Sequence, residues 1–159
     1  MILYLETSAL VKLYAEEDGT EVVERAVEEA ELVVSSVVAY AEARAALARK
    51  YREGIFSEEE HREAVEALDE DWETLEKPEV TEELAREAGG LAQEHALRVF
   101  DAIHLASALR ACDAWSRRGE EDSGKAVFFL GFDSNLTRAA GELVQVYEPP
   151  ERPEDGGSC

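Results

Sequence analysis

Short, wholly apolar runs alternate with longer stretches of helical pattern along this chain, and that alternation restricts the fold more than any other feature. Ile2-Leu3-Tyr4-Leu5, Leu32-Val33-Val34 and Ala126 to Leu130 read as buried strands, with a last strand over Leu143 to Tyr147. Between them the pattern predicts helices over about 9–16, 20–30, 37–52, 58–75, 82–95, 101–115 and 134–140. Thr7 and Ser8 are N-cap candidates for the first helix, Gly54 stops the third, Ser57 with Glu60 forms a capping box, and Thr81 caps the fifth. Pro78-Glu79-Val80 is a candidate edge strand, and residues 116–125 read as a polar loop. Strands joined through helices in this way form a parallel sheet with helices on both faces, an α/β architecture.

The sequence has 159 residues, enough for one domain with one core, expected over 1–148. The segment 149–159 carries three of the four prolines and is expected to be a disordered tail. No apolar run approaches the roughly 20 residues that span a membrane, and the opening residues do not resemble a secretory signal. Two cysteines, Cys112 and Cys159, do not make a disulfide framework, so a cytoplasmic location is expected. The net charge is −21, with 37 acids against 16 bases, which taken alone speaks against a nucleic-acid binder. The acids are spread over helix surfaces at 16–31, 53–76 and 79–94, so most belong to solvated faces and local sites must decide the function.

In parallel sheets, ligands sit beyond the carboxyl ends of the strands. Glu6 directly follows the first strand, and Asp133 lies three residues after Leu130. Glu42 falls on an apolar stripe with Val38, Ala45 and Ala46, where an unpaired carboxylate is costly. Asp101 precedes the run Ala102-Ile103-His104-Leu105-Ala106-Ser107-Ala108-Leu109, which marks the most buried helix. Each acid has a plainer reading. Asp101 and Asp133 are good N-caps, Glu6 can accept bonds from the turn after it, and Glu42 can pair with Arg49, Arg44 pointing elsewhere. Four carboxylates at one edge repel one another unless a cation neutralises them, and Mg²⁺ or Mn²⁺ suits an all-oxygen set. Neither a CxxC nor an HExxH pattern supports zinc, and neither GxxxxGK[ST] nor GxGxxG supports a nucleotide cradle.

Four segments carry a resemblance to a known family. Leu5-Glu6-Thr7-Ser8-Ala9-Leu10, Ser35-Ser36 followed by Glu42, Phe100-Asp101-Ala102-Ile103-His104-Leu105-Ala106-Ser107-Ala108, and Phe129-Leu130-Gly131-Phe132-Asp133-Ser134-Asn135-Leu136 resemble, in order, the motifs of PIN domains, especially those of VapC-type toxins. The resemblance implies a three-layer α/β/α sandwich with four or five parallel strands and an acidic pocket for Mg²⁺ or Mn²⁺. It also implies endoribonuclease activity on RNA, a small antitoxin partner and a homodimeric assembly. By position, Glu6, Glu42, Asp101 and Asp133 are the implied catalytic and metal-binding acids, with Thr7 and Ser8 assisting. The family usually has Asp where this chain has Glu6, a longer and more flexible arm.

An alternative is a catalytically weakened PIN-like module that only binds RNA or a protein. His104 reads as a buried, hydrogen-bonded histidine one turn from Asp101. Lys12, Arg117, Arg118 and Lys125 are candidate phosphate contacts, the two arginines reading more readily as a solvated loop. Trp72 and Trp115 read as core or interface residues.

Overall fold

The structure is a computed structural model and describes residues 1–117 and 126–150. Arg118, Lys125, most of the expected 116–125 loop and the tail from 151 onward lie outside the described residues. In chain order the elements are β1 (Ile2–Leu5), α1 (Thr7–Leu10) running into a 3₁₀ turn (Val11–Leu13), α2 (Thr20–Glu29), β2 (Leu32–Val34), α3 (Val38–Arg52), α4 (Glu58–Trp72), α5 (Glu82–His95), α6 (Val99–Ser116), β3 (Val127–Leu130), α7 (Ser134–Leu143) and β4 (Gln145–Val146).

The four strands form one parallel sheet in the order β2-β1-β3-β4. All four residues of β1 are buried, because side chains on alternate faces meet different helix layers. Ile2 and Tyr4 pack with residues of α5, α6 and α7, whereas Leu3 and Leu5 pack with residues of α1, α2, α3 and α4. The expected three-layer α/β/α sandwich is therefore present. Among the described residues no helix is long and apolar enough to cross a membrane.

Several local expectations are corrected. The first helix is one turn of α-helix plus a 3₁₀ turn, not a helix over 9–16. Its cap is Glu6, whose side chain accepts from Ser8 N, so neither Thr7 nor Ser8 is the N-cap. Pro78-Glu79-Val80 forms no strand. Glu76 instead makes a lone parallel bridge with Val34, and Pro78 lacks the N–H needed to carry the pairing further. α6 begins at Val99 with Arg98 at its N-cap position, so Asp101 lies inside the first turn and caps nothing. α7 runs on to Leu143, leaving β4 only two residues.

The topology itself makes a site. β2 and β3 lie on opposite sides of β1, so the chain reverses its direction of travel across the sheet at β1. Such a switch opens a crevice outside the carboxyl ends of the strands. Glu6 emerges there from β1, and Gly131-Phe132-Asp133 from β3.

Candidate active site

Glu6, Glu42, Asp101 and Asp133 line one cleft of about 560 Å³ at the carboxyl edge of the sheet, together with Thr7, Ser8 and Phe132. They arrive from different elements: Glu6 from the end of β1, Glu42 from α3, Asp101 from the first turn of α6, and Asp133 from the N-cap of α7. The pairing of β1 with β3 brings Glu6 beside the segment that leads to Asp133, with Glu6 N donating to Leu130 O at 3.0 Å, while α3 and α6 carry in Glu42 and Asp101.

Glu6 is held from both sides. Its Oε2 accepts from Ser8 N at 3.0 Å and from the Ser8 hydroxyl, whose oxygen in turn accepts from Phe132 N at 2.8 Å. A Cβ added at Gly131 would lie 3.1 Å from Glu6 Oε2 and 3.2 Å from Glu6 Cβ. Glycine at 131 leaves the room that the longer Glu6 side chain fills. Burial pushes the Glu6 carboxyl above its ordinary range, although His104 and the Ser8 bonds pull in the other direction.

Glu42 belongs to a buried polar network. Thr7 Oγ1 donates to Glu42 Oε1 at 2.8 Å, and His104 Nε2 lies 2.8 Å from the same oxygen and 2.9 Å from Thr7 Oγ1. His104 Nδ1 lies 3.0 Å from the Tyr4 hydroxyl. All these contacts are satisfied when Nε2 carries the proton and Nδ1 accepts from Tyr4. Burial raises the Glu42 carboxyl, but His104 and Thr7 more than offset it, and the net position is below the ordinary value. Glu42 therefore stays ionised at neutral pH. His104 is fully buried and hydrogen-bonded as expected, and it also touches the acidic site. Arg44 turns away to Tyr40 and Asp69.

Asp133 fills the plain role as well as facing the cleft: Oδ1 accepts from Leu136 N at 2.9 Å as the cap of α7. Its other oxygen accepts from Arg98 Nη2 at 3.2 Å, and Arg98 Nε donates to Asp101 Oδ2 at 2.9 Å. One guanidinium thus bridges two of the four acids.

Sequence reasoning missed Arg98, although an arginine three residues before Asp101 at a helix start is a recognisable pairing signal. It also missed Arg49 and Lys50 as cleft residues. Their spacing of seven and eight from Glu42 puts them on its helical face. With Lys12 and Arg98 they bring four of the sixteen bases to this one cleft, on a chain that is otherwise acidic. Lys12 and Lys50 both bond Glu17, and Lys12 Nζ stands 4.6 Å from the centre of the Phe132 ring. Arg117 lines a different cleft, beside Trp115. Trp72 is half-buried against Tyr40, with ring centres 5.3 Å apart.

The donor set fits a hard divalent ion in its chemistry. It is all oxygen, and it includes a carboxylate whose burial opposes ionisation. Among the described residues no three acids or histidines converge closely enough to form a finished cation cage, and the positive charge between Asp101 and Asp133 is that of Arg98.

Comparison with known proteins shows the family and the fold. The family model for the PIN domain matches residues 3–142. Ribonuclease VapC45 and Ribonuclease VapC49, from two strains of Mycobacterium tuberculosis, are each 37% identical over 123 residues, covering 74% of this chain and 85% of theirs. The crystal structure of FitAcB from Neisseria gonorrhoeae shares the fold, with a TM-score of 0.58 at 18% identity, over 94% of this chain and 98% of that one.

Proposed function

Since the chain belongs to the PIN domain family, we propose that it is a divalent-metal-dependent endoribonuclease, the toxin of a toxin–antitoxin pair acting in the cytoplasm. The observation that carries this reading is the gathering of Glu6, Glu42, Asp101 and Asp133 in one cleft rimmed by bases. Two relatives that bear the name ribonuclease support it.

Glu6 and Asp101 are the first ligands for Mg²⁺ or Mn²⁺, and Asp133 completes the set. A bound ion supplies Lewis acidity and neutralises charge that develops on the phosphodiester. Glu42, ionised and fixed by Thr7 and His104, orients the attacking water and can take its proton, or helps hold a second ion. Ser8 fixes Glu6 through its hydroxyl. The exposed Arg49 lies where it can meet an RNA phosphate, Lys12 and Lys50 add positive charge behind it although Glu17 pairs with both, and the exposed Phe132 ring offers a face on which a base can stack.

The same acids give a protein inhibitor its target. An antitoxin arginine inserted among them would pair carboxylates bidentately and compete with metal and substrate. A homodimer is part of this reading. Incubation with single-stranded RNA tests the proposal. Cleavage should require Mg²⁺ or Mn²⁺ and stop on addition of EDTA, whereas a module that only binds RNA would cut nothing under any condition.

A further inference from the structure

Arg98 stands apart from the other cleft bases because it touches the acids directly. Its main chain is anchored. Leu97 before it is buried, Ala96 closes α5 in the left-handed region at φ 54°, and Arg98 O accepts the first bond of α6, from Ala102 N at 2.9 Å. Its side chain is not anchored, being 78% exposed while bridging Asp101 and Asp133. A guanidinium held only at its tip by two carboxylates can leave by side-chain rotation, with no change in the backbone. Solvent around the arginine end weakens both pairs, although Asp101 itself is buried.

We propose that Arg98 is an internal counter-ion that closes the acidic cleft in the absence of a divalent ion and, once displaced by one, binds a phosphate of the RNA at the cleft mouth. The two tasks call for the same chemistry. A planar fork that fits two carboxylate oxygens fits two phosphate oxygens equally well. Divalent metal and Arg98 then compete for Asp101 and Asp133, so each metal-binding event releases an arginine beside the incoming substrate. It also follows that an arginine from an antitoxin would take a place that this chain already fills with its own. The role of Arg98 rests on the ribonuclease reading.

Titration with Mn²⁺ alone, followed by calorimetry without RNA, reads the competition separately from activity. Arg98→Ala should bind Mn²⁺ about three- to tenfold more tightly than the wild type, because no ion pair has to be broken. At saturating Mn²⁺ the same variant should show a KM for single-stranded RNA raised by about fivefold or more, with a shallower dependence on salt. Arg98→Lys, which keeps the charge and loses the fork, should fall between the two in both measurements, and Arg98→Gln should follow Arg98→Ala. A merely structural arginine would weaken metal and RNA binding together. Unchanged or weaker Mn²⁺ affinity in Arg98→Ala, beside a wild type that binds Mn²⁺ and cuts RNA, overturns the role of Arg98 alone. A wild type that binds no Mn²⁺ and cuts no RNA overturns the ribonuclease reading with it.

Discussion

His104 Nε2 lies 2.8 Å from Glu42 Oε1, across 62 residues of chain, and the pair is sealed from solvent on the histidine side. The imidazole links Glu42 to the sheet, through Tyr4 at its other nitrogen, and shares the hold on the carboxylate with Thr7. Removing it leaves the Tyr4 hydroxyl without its ring partner and the Glu42 carboxylate held by Thr7 alone. His104→Ala should therefore cost about 2–4 kcal/mol of stability, from the cavity and the lost bonds together. Cleavage by the folded fraction should fall by about 10–100-fold, as for other residues that orient a catalytic ligand. His104→Gln can still donate to Glu42 and should retain more activity than His104→Ala. Denaturant unfolding and single-turnover cleavage on the three proteins measure both effects, and equal rates for Ala and Gln would mean that the ring acts by packing alone.

Glu6 and Gly131 should behave as one unit. A Cβ at 131 would stand 3.1 Å from Glu6 Oε2 and from Phe129 Cε1, and Phe129 is a fully buried core residue that cannot move away. Gly131→Ala should displace the Glu6 carboxylate from Ser8 and slow cleavage. Glu6→Asp shortens the side chain and relieves the contact to Oε2, leaving those to Glu6 Cβ and Phe129, so the double variant should recover part of the rate lost in Gly131→Ala. A double-mutant cycle in cleavage rate should show coupling of about 1–2 kcal/mol, and additive effects would show that the two positions do not share the space.

The raised carboxyl of Glu6 has a thermodynamic consequence. A group whose folded value lies above its unfolded value favours folding when protonated. Its contribution is fully present below the unfolded value, about 4.3 for Glu, and is lost as pH rises through the folded value. At neutral pH without metal, ionised Glu6 is thus a burden on the fold. Glu6→Gln should abolish cleavage yet raise Tm of the metal-free protein by about 2–4 °C at pH 7, with the gain shrinking towards pH 4. Calorimetric melts at both pH values check this, and a variant less stable than the wild type at pH 7 would contradict it.

The sheet and its helix layers were legible because strand-to-helix alternation is a local feature of the sequence, Glu6 and Asp133 because they follow strands, and Glu42 and Asp101 because of the apolar helical runs around them and the motifs they sit in. Arg98 was not, because its role depends on Asp133, which lies 35 residues away on another helix. Gly131 was hidden for a related reason: its value lies in what it leaves room for, and the length of Glu6 becomes a spatial question only once β1 and β3 are side by side. The edge strand expected at 78–80 failed on a local rule, since a proline at 78 removes the donor that the pairing needs. The first helix is shorter than its pattern predicts because the chain passes into a 3₁₀ turn at Val11, while Glu6 does accept from the turn after it.

If the acids of this cleft hold a divalent ion that cuts RNA, Asp101 is the residue whose charge should matter most plainly. Asp101 is buried in the first turn of α6 and caps no helix, so Asn at this position keeps its shape and removes its charge and, with it, the ion pair to Arg98. Mn²⁺ titration and single-turnover cleavage of single-stranded RNA should be run over the same metal concentrations for the wild type and Asp101→Asn. Wild-type cleavage should rise with metal occupancy, and Asp101→Asn should bind Mn²⁺ at least about tenfold more weakly and show no cleavage at concentrations that saturate the wild type. Cleavage by the wild type that persists in EDTA, or an Asp101→Asn variant that cuts at the wild-type rate, would contradict it.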